Sequence, residues 1–187
     1  MKMRSSRFVG FIAGGVACLS WGGAHADNAA CVAPDSLART EGVFSFVQTR
    51  ELVGVDAPIV SSGVVEFKPD LITWTVSEPI EIVTRITPQG VTQSVDGGEP
   101  TSVGAVSSPM FARSGVDAML RGDFDGLSAN YEMERGNTSA GWVLRLTPLS
   151  EDVREFISEI SLTGCSRIDA IRLVQANGDV MKVAFAE

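Results

Sequence analysis

The sequence predicts a mainly antiparallel β-protein with few helices, its strands forming one large curved or half-closed sheet. Three observations predict it. Runs of alternating apolar and polar residues recur about ten times between residues 42 and 185, and side chains alternate between the two faces along a strand. Turn chemistry separates the runs at Pro69-Asp70, Pro88-Gln89-Gly90 and Asn177-Gly178, the last a strong two-residue hairpin signal. Only one internal stretch, 108–121, carries a convincing helical apolar side.

Residues 1–26 read as a secretory signal. Lys2, Arg4 and Arg7 precede an apolar run from Phe8 to Trp21, and Ala24-His25-Ala26 is a small-residue cleavage site. That run is shorter than the roughly 20 apolar residues a bilayer span needs. Cys18 has Gly15 three places before it, where a lipid-anchoring signal wants an aliphatic residue. Cleavage after Ala26 leaves residues 27–187, 161 of the 187, as a single exported domain. It leaves 12 basic against 23 acidic residues, a net charge of −11. Acidity of this kind favours solubility and argues against a nucleic-acid partner, which needs clustered Lys and Arg.

The elements follow in order. Residues 28–40 suggest a short helix around Pro34-Asp35-Ser36, and 42–52 a strand with Phe44, Phe46, Gln48, Arg50 and Leu52 on one face. The organising stretch is the pair of strands 63–68 and 71–77. In the second of them Ile72, Trp74 and Val76 share one face, and Pro79 stops the pairing because it has no N–H to donate. Strands at 80–87 and 91–95 come next. Ser108-Pro109 is an N-cap and first helical position, and Met110, Phe111, Val116, Met119 and Leu120 supply the apolar side of a helix that Gly122 ends. A strand at 127–135 places Leu127, Ala129, Tyr131 and Met133 inward, and the next places Trp142, Leu144 and Leu146 inward. One helical turn at 149–154 and strands at 155–162, 167–175 and 180–185 complete the chain.

The only histidine, His25, lies inside the signal. Without it the Ser-His-Asp and Cys-His nucleophiles, His-containing zinc sites and imidazole proton shuttles are excluded, and no enzyme activity, cofactor or metal is expected. Asp123-Phe124-Asp125-Gly126 with Glu132 imitates half of a calcium loop, but Arg121 occupies its first ligand position. No local pattern selects a glycosidase-like pair among the acidic residues. Cys31 and Cys165 most simply form one disulfide in an oxidising compartment, the alternative being two separate buried thiols. The aromatic and Met side chains Phe44, Phe46, Trp74, Trp142, Met110, Phe111 and Met119 exceed what two small helices would cover. Strand periodicity alone fits an open apolar hollow and a filled core equally.

Several motifs together resemble the periplasmic lipoprotein-carrier family, the LolA proteins, most closely their shorter LolA-like relatives. They are Phe46-Val47-Gln48 in the first strand, Phe67-Lys68-Pro69 followed by Trp74 and Pro79, Pro109-Met110-Phe111 opening the mid-chain helix, and Trp142-Val143-Leu144-Arg145-Leu146-Thr147-Pro148 in a late strand. The resemblance spans essentially the whole chain after the signal. It implies a curved, incomplete β-barrel with a helical lid around an apolar cavity, and a monomeric carrier that shields acyl chains of a lipid or lipidated protein. Such a carrier works between an inner-membrane donor and an outer-membrane acceptor. On this resemblance Phe44, Phe46, Ile72, Trp74, Val76, Met110, Phe111, Met119, Leu120 and Trp142 are the expected lipid-binding residues. The family latches its lid with an arginine just before the hairpin proline; here Lys68 stands there, and three rotatable donors in place of a planar fork imply a weaker latch. The chain also stops at Glu187 directly after its last strand. Both departures resemble the shorter relatives, for which a glycolipid is an alternative cargo, and a non-catalytic envelope interaction module with a filled core is the alternative function.

Overall fold

The computed structural model of the chain describes residues 31–34, 37, 41–103 and 115–186. Eleven strands form one antiparallel sheet: β1 (Gly42–Glu51), β2 (Ile59–Lys68), β3 (Leu71–Glu78), β4 (Ile82–Thr87), β5 (Gly90–Val95), β6 (Thr101–Ser102), β7 (Tyr131–Thr138), β8 (Gly141–Pro148), β9 (Ile157–Gly164), β10 (Ile168–Gln175) and β11 (Val180–Ala186). Their order across the sheet is β6-β5-β4-β3-β2-β1-β11-β10-β9-β8-β7. Two hairpin-connected halves therefore meet at the centre, where β1 pairs with β11 from Ser45 opposite Ala186 to Glu51 opposite Val180. The edges β6 and β7 do not pair with each other, so the barrel is incomplete. Between them the chain carries α1 (Val116–Arg121) and α2 (Phe124–Leu127), and α3 (Glu151–Arg154) lies between β8 and β9.

Alternation along the strands builds the core on one face. One buried cluster gathers Phe46, Val65, Phe67, Ile72, Trp74, Ile86, Val91 and Val183 from the first half and β11. The other gathers Leu144, Leu146, Ile160 and Leu162 with Met119, Phe124, Leu127 and Val153 from the three helices. Ile171 and Met181 pack against both, so the two clusters are continuous. On the opposite face β1 and β2 expose Val43, Val47, Val60 and Val64, while β7 to β10 carry an ion-pair ladder. In it Arg145 reaches Glu134 at 3.1 Å and Glu159 at 3.2 Å, and Arg172 reaches Glu159 at 3.4 Å. Half-exposed pairs of this kind contribute little individually.

Several expectations change. The strand expected at 127–135 begins only at Tyr131, because Phe124 and Leu127, three residues apart, both turn into the core as a helical turn. Thr101–Ser102, where the sequence marks no strand, pairs with Thr92 and Gln93 as an additional edge strand. The strand expected at 63–68 extends back to Ile59, since β1 is long enough to pair with it throughout. The signal, most of the N-terminal helical stretch and the Ser108-Pro109 helix start with Met110 and Phe111 lie outside the described residues. The mid-chain helix is described from Val116. It ends where Gly122, at φ 70°, lets the Asp123 and Gly122 N–H groups close onto the Ala118 and Met119 carbonyls.

Tyr131, the chain's single tyrosine, is 2% exposed, and burial pushes its phenol up to about 12. Between pH 10 and 12 the unfolded chain loses this proton while the folded one keeps it. Stability should therefore fall by about 2 to 3 kcal/mol across that window. Ultraviolet absorbance should show tyrosinate forming only near pH 12 or together with unfolding. A titration midpoint near 10 with the fold intact would contradict this burial.

Candidate functional site

The sheet brings its densest aromatic group to the central hairpin and the strands beside it. Phe46 lies against Trp74 with ring centroids 4.4 Å apart, Trp74 meets Phe185 edge-on at 6.1 Å, and Phe44 meets Phe67 edge-on at 5.8 Å. Gly63 lies opposite Phe46 on β1 and Val76 on β3, at an irregularity where Ser62 pairs with Glu78 and Gly63 with Val76. Ser77 is the extra residue of that bulge.

A hollow of about 50 Å³ opens beside these rings, lined by Phe44, Phe67, Phe185, Leu120 and Ile168, with Leu37, Gly122, Arg121 and Arg167 completing its described wall. Its volume is that of one or two water molecules. Among the described residues this hollow is far smaller than the wide cavity implied by the sequence resemblance. A wider, more open groove of about 610 Å³ runs beside residues 31–34 and 137–142. Short turn residues make most of its walls, with Trp142 and the bonded Cys31 and Cys165 among them.

Helix α1 sits astride both clusters, with Met119 buried in one and Leu120 packed against the other. Its last residue fastens it to the central hairpin: Arg121 Nη1 donates to the Lys68 carbonyl at 2.8 Å. The Lys68 ammonium turns instead to Glu66, 2.9 Å away on its own strand. The helix-to-hairpin contact therefore runs through the residue expected to latch, but through its backbone, with the guanidinium supplied from the helix. Arg167 stacks over the Phe44 ring at 5.9 Å and places its Nε 3.4 Å from the Asp169 carboxylate.

No family model and no curated protein matches this chain. Among solved structures, a LolA superfamily protein from Nitrosomonas europaea is 12% identical over 82% of this chain and 88% of that one, with a TM-score of 0.48. The chain resembles LolA-superfamily structures. A domain assigned to outer membrane lipoprotein sorting from Vibrio parahaemolyticus is 7% identical over 80% of this chain and 86% of that one, with a TM-score of 0.42. A DUF1329 family protein from Desulfovibrio piger is 10% identical over 82% and 86%, also at 0.42.

Of the side chains expected from the LolA resemblance to bind lipid, Phe44 and Leu120 line the hollow, and Phe46, Ile72, Trp74 and Val76 belong to the cluster around it. Met119 and Trp142 belong to the other cluster. Trp142 packs at the disulfide, its indole N–H donating to the Cys165 carbonyl at 3.0 Å. That carbonyl also accepts from the Val32 N–H, and Cys31 and Cys165 are bonded. The sequence reading missed Phe67, Phe185, Arg121, Arg167 and Ile168 as lining residues. Phe67 and Phe185 had a signal, each alternating in phase with buried neighbours, Val65 and Val183.

Proposed function

We propose that this protein is a periplasmic carrier that shields the acyl chains of a lipid or lipidated protein while they pass between membranes. The observation that supports it is the hollow bounded by Phe44, Phe67, Phe185 and Leu120, beneath a six-residue helix tied to the hairpin by the Arg121–Lys68 contact. Each methylene buried from water contributes about 0.8 kcal/mol, so ten of them suffice for micromolar binding without any reacting group. Entry of a chain requires α1 to move and Leu120 to leave the rings. The small volume of the hollow favours a second reading, a non-catalytic envelope module whose core is filled.

Native mass spectrometry of the protein exported to a Gram-negative periplasm, with extraction of bound material, separates the two. A discrete acyl-lipid adduct is expected. Leu120→Glu, at a half-buried position where a carboxylate can stay partly hydrated, should remove the adduct and weaken a fluorescent acyl probe by at least about tenfold. A clean apo mass, unchanged after incubation with phospholipid and lipoprotein, would leave the filled-core module standing.

A further inference from the structure

We propose that two copies of this protein pack back to back through the outer face of β1, β2 and β11, as a twofold dimer that leaves both hollows open. The hollow lies on the inner face, so the dimer stands or falls independently of the carrier reading. It departs from the monomer that the LolA resemblance implies. The starting observation is that the central strands are apolar on both sides. Phe46 and Val65 are buried in the core, while Val43 and Val47 on β1 and Val60 and Val64 on β2 are between 41% and 61% exposed on the other side. A sheet with one solvated face ordinarily carries polar residues there, and a strand apolar on both sides has the pattern of one covered on both sides.

The register gathers these valines into one patch. Val64, Ser45 and Ala186 form a row across β2, β1 and β11, and Ser62, Val47 and Ala184 form the next. Both rows continue without charge, to Thr75 on β3 and Ala170 on β10. Five strands about 4.8 Å apart, each rising about 3.3 Å per residue over roughly nine residues, span about 700 Å². That is close to the roughly 800 Å² each partner contributes to a standard interface. Short side chains between the valines let two such faces interdigitate, as twisted sheets do when they pack about 10 Å apart with strands about 30° from parallel.

Charge selects a second copy as the occupant. Acidic residues outnumber basic ones 23 to 15 in this chain, so two copies repel over most of their surfaces. At this patch they do not, because the charges bordering it are paired within the chain, Glu66 with Lys68 beyond one end and Glu51 with Lys182 beyond the other. A neutral face offers no attraction to a basic partner, whereas the same face on another copy matches it in an isologous contact. A lipid surface fits less well, since the patch has no aromatic side chain and no excess of Lys or Arg among its described residues. The described neighbours of residues 104–114, Val103 and α1, pack into the core clusters, as does Leu37, so none of them covers the valines.

Sedimentation equilibrium of the exported protein, from about 1 to 200 µM, tests this. A monomer–dimer equilibrium is expected, persisting in about 1 M salt because the contact is apolar and screening weakens only the repulsion. Val47→Asp/Val64→Asp should weaken the dimer at least about tenfold, since each carboxylate is hydrated in the monomer and loses that water at the contact. Val55→Asp, at an equally exposed valine in the connection between β1 and β2, should leave the dimer unchanged. A monomer at every concentration overturns the proposal, and a dimer indifferent to both aspartates places the contact elsewhere and overturns it too. A monomer that cosediments with phosphatidylcholine vesicles overturns it in favour of a lipid surface. The concentration series of the unaltered protein decides for or against self-association even if the double aspartate variant folds poorly.

Discussion

Replacing Cys31 and Cys165 together by serine is expected to lower the melting temperature by about 10 to 20 °C. The bond joins residues 134 apart in sequence. In the chain-entropy account, closing so long a loop restricts the unfolded chain by about 5 kcal/mol, and in a protein of this size each kcal/mol moves the melting point by about 2 to 4 °C. The folded side of the balance suffers too. With Cys31 released, the Val32 N–H is no longer held at the Cys165 carbonyl, and the same carbonyl anchors the Trp142 indole under the end of β9. Calorimetry of the double variant, beside the unaltered protein with and without reductant, checks this. A shift below about 3 °C would mean that the N-terminal segment contributes little closure.

Gly63→Ala is expected to cost about 3 kcal/mol or more, although Gly63 has ordinary extended backbone and an alanine looks conservative there. A Cβ at this position would overlap the Thr75 carbonyl oxygen and crowd the Val76 Cα, both backbone atoms of the neighbouring strand. No side chain can swing aside to relieve that overlap, so the β2–β3 ladder must spread at its bulge, and the Phe46–Trp74 contact with it. Gly54→Ala is the natural control. It has φ 80° but open space around it, so it should cost only the left-handed backbone penalty of about 1 to 2 kcal/mol. Denaturant unfolding of both variants measures the difference. Equal costs would show that the β2–β3 ladder absorbs a Cβ at Gly63 with little crowding.

The central hairpin was legible in the sequence because its signals are local. Alternation assigned Ile72 and Trp74 to the buried face, and Pro69-Asp70 marked the turn. At Leu127 locality failed. An apolar residue followed by Ala129 and Tyr131 fits a period of two, and only the partner Phe124, three residues earlier, reveals the helical turn. The hollow was harder still. Its wall is assembled from β1, β2, β11, the end of α1 and the turn before β10, so Arg121 and Arg167 share no spacing that a linear pattern could expose. The resemblance pointed to Lys68 as the hairpin residue that meets the helix, but which of its atoms makes the contact depends on Glu66 competing for the ammonium. That competition is between neighbours across one strand face, not along a motif.

The pairing of β1 with β11 also sets an order of events. Strands β1 to β6 and β7 to β11 are each linked by short connections and can form locally, whereas Ser45 and Ala186 are 141 residues apart. The entropy of closing a loop rises with its length, so the central seam is the costly step, and a chain made from its N-terminus delivers β11 last. Until then β1 presents a bare edge of backbone donors and acceptors beside the exposed Val43 and Val47, an invitation to pair with another unfinished chain. The strand that covers this edge is also the one that carries Phe185 to the hollow. Protection from misassembly and completion of the aromatic wall therefore arrive in the same step.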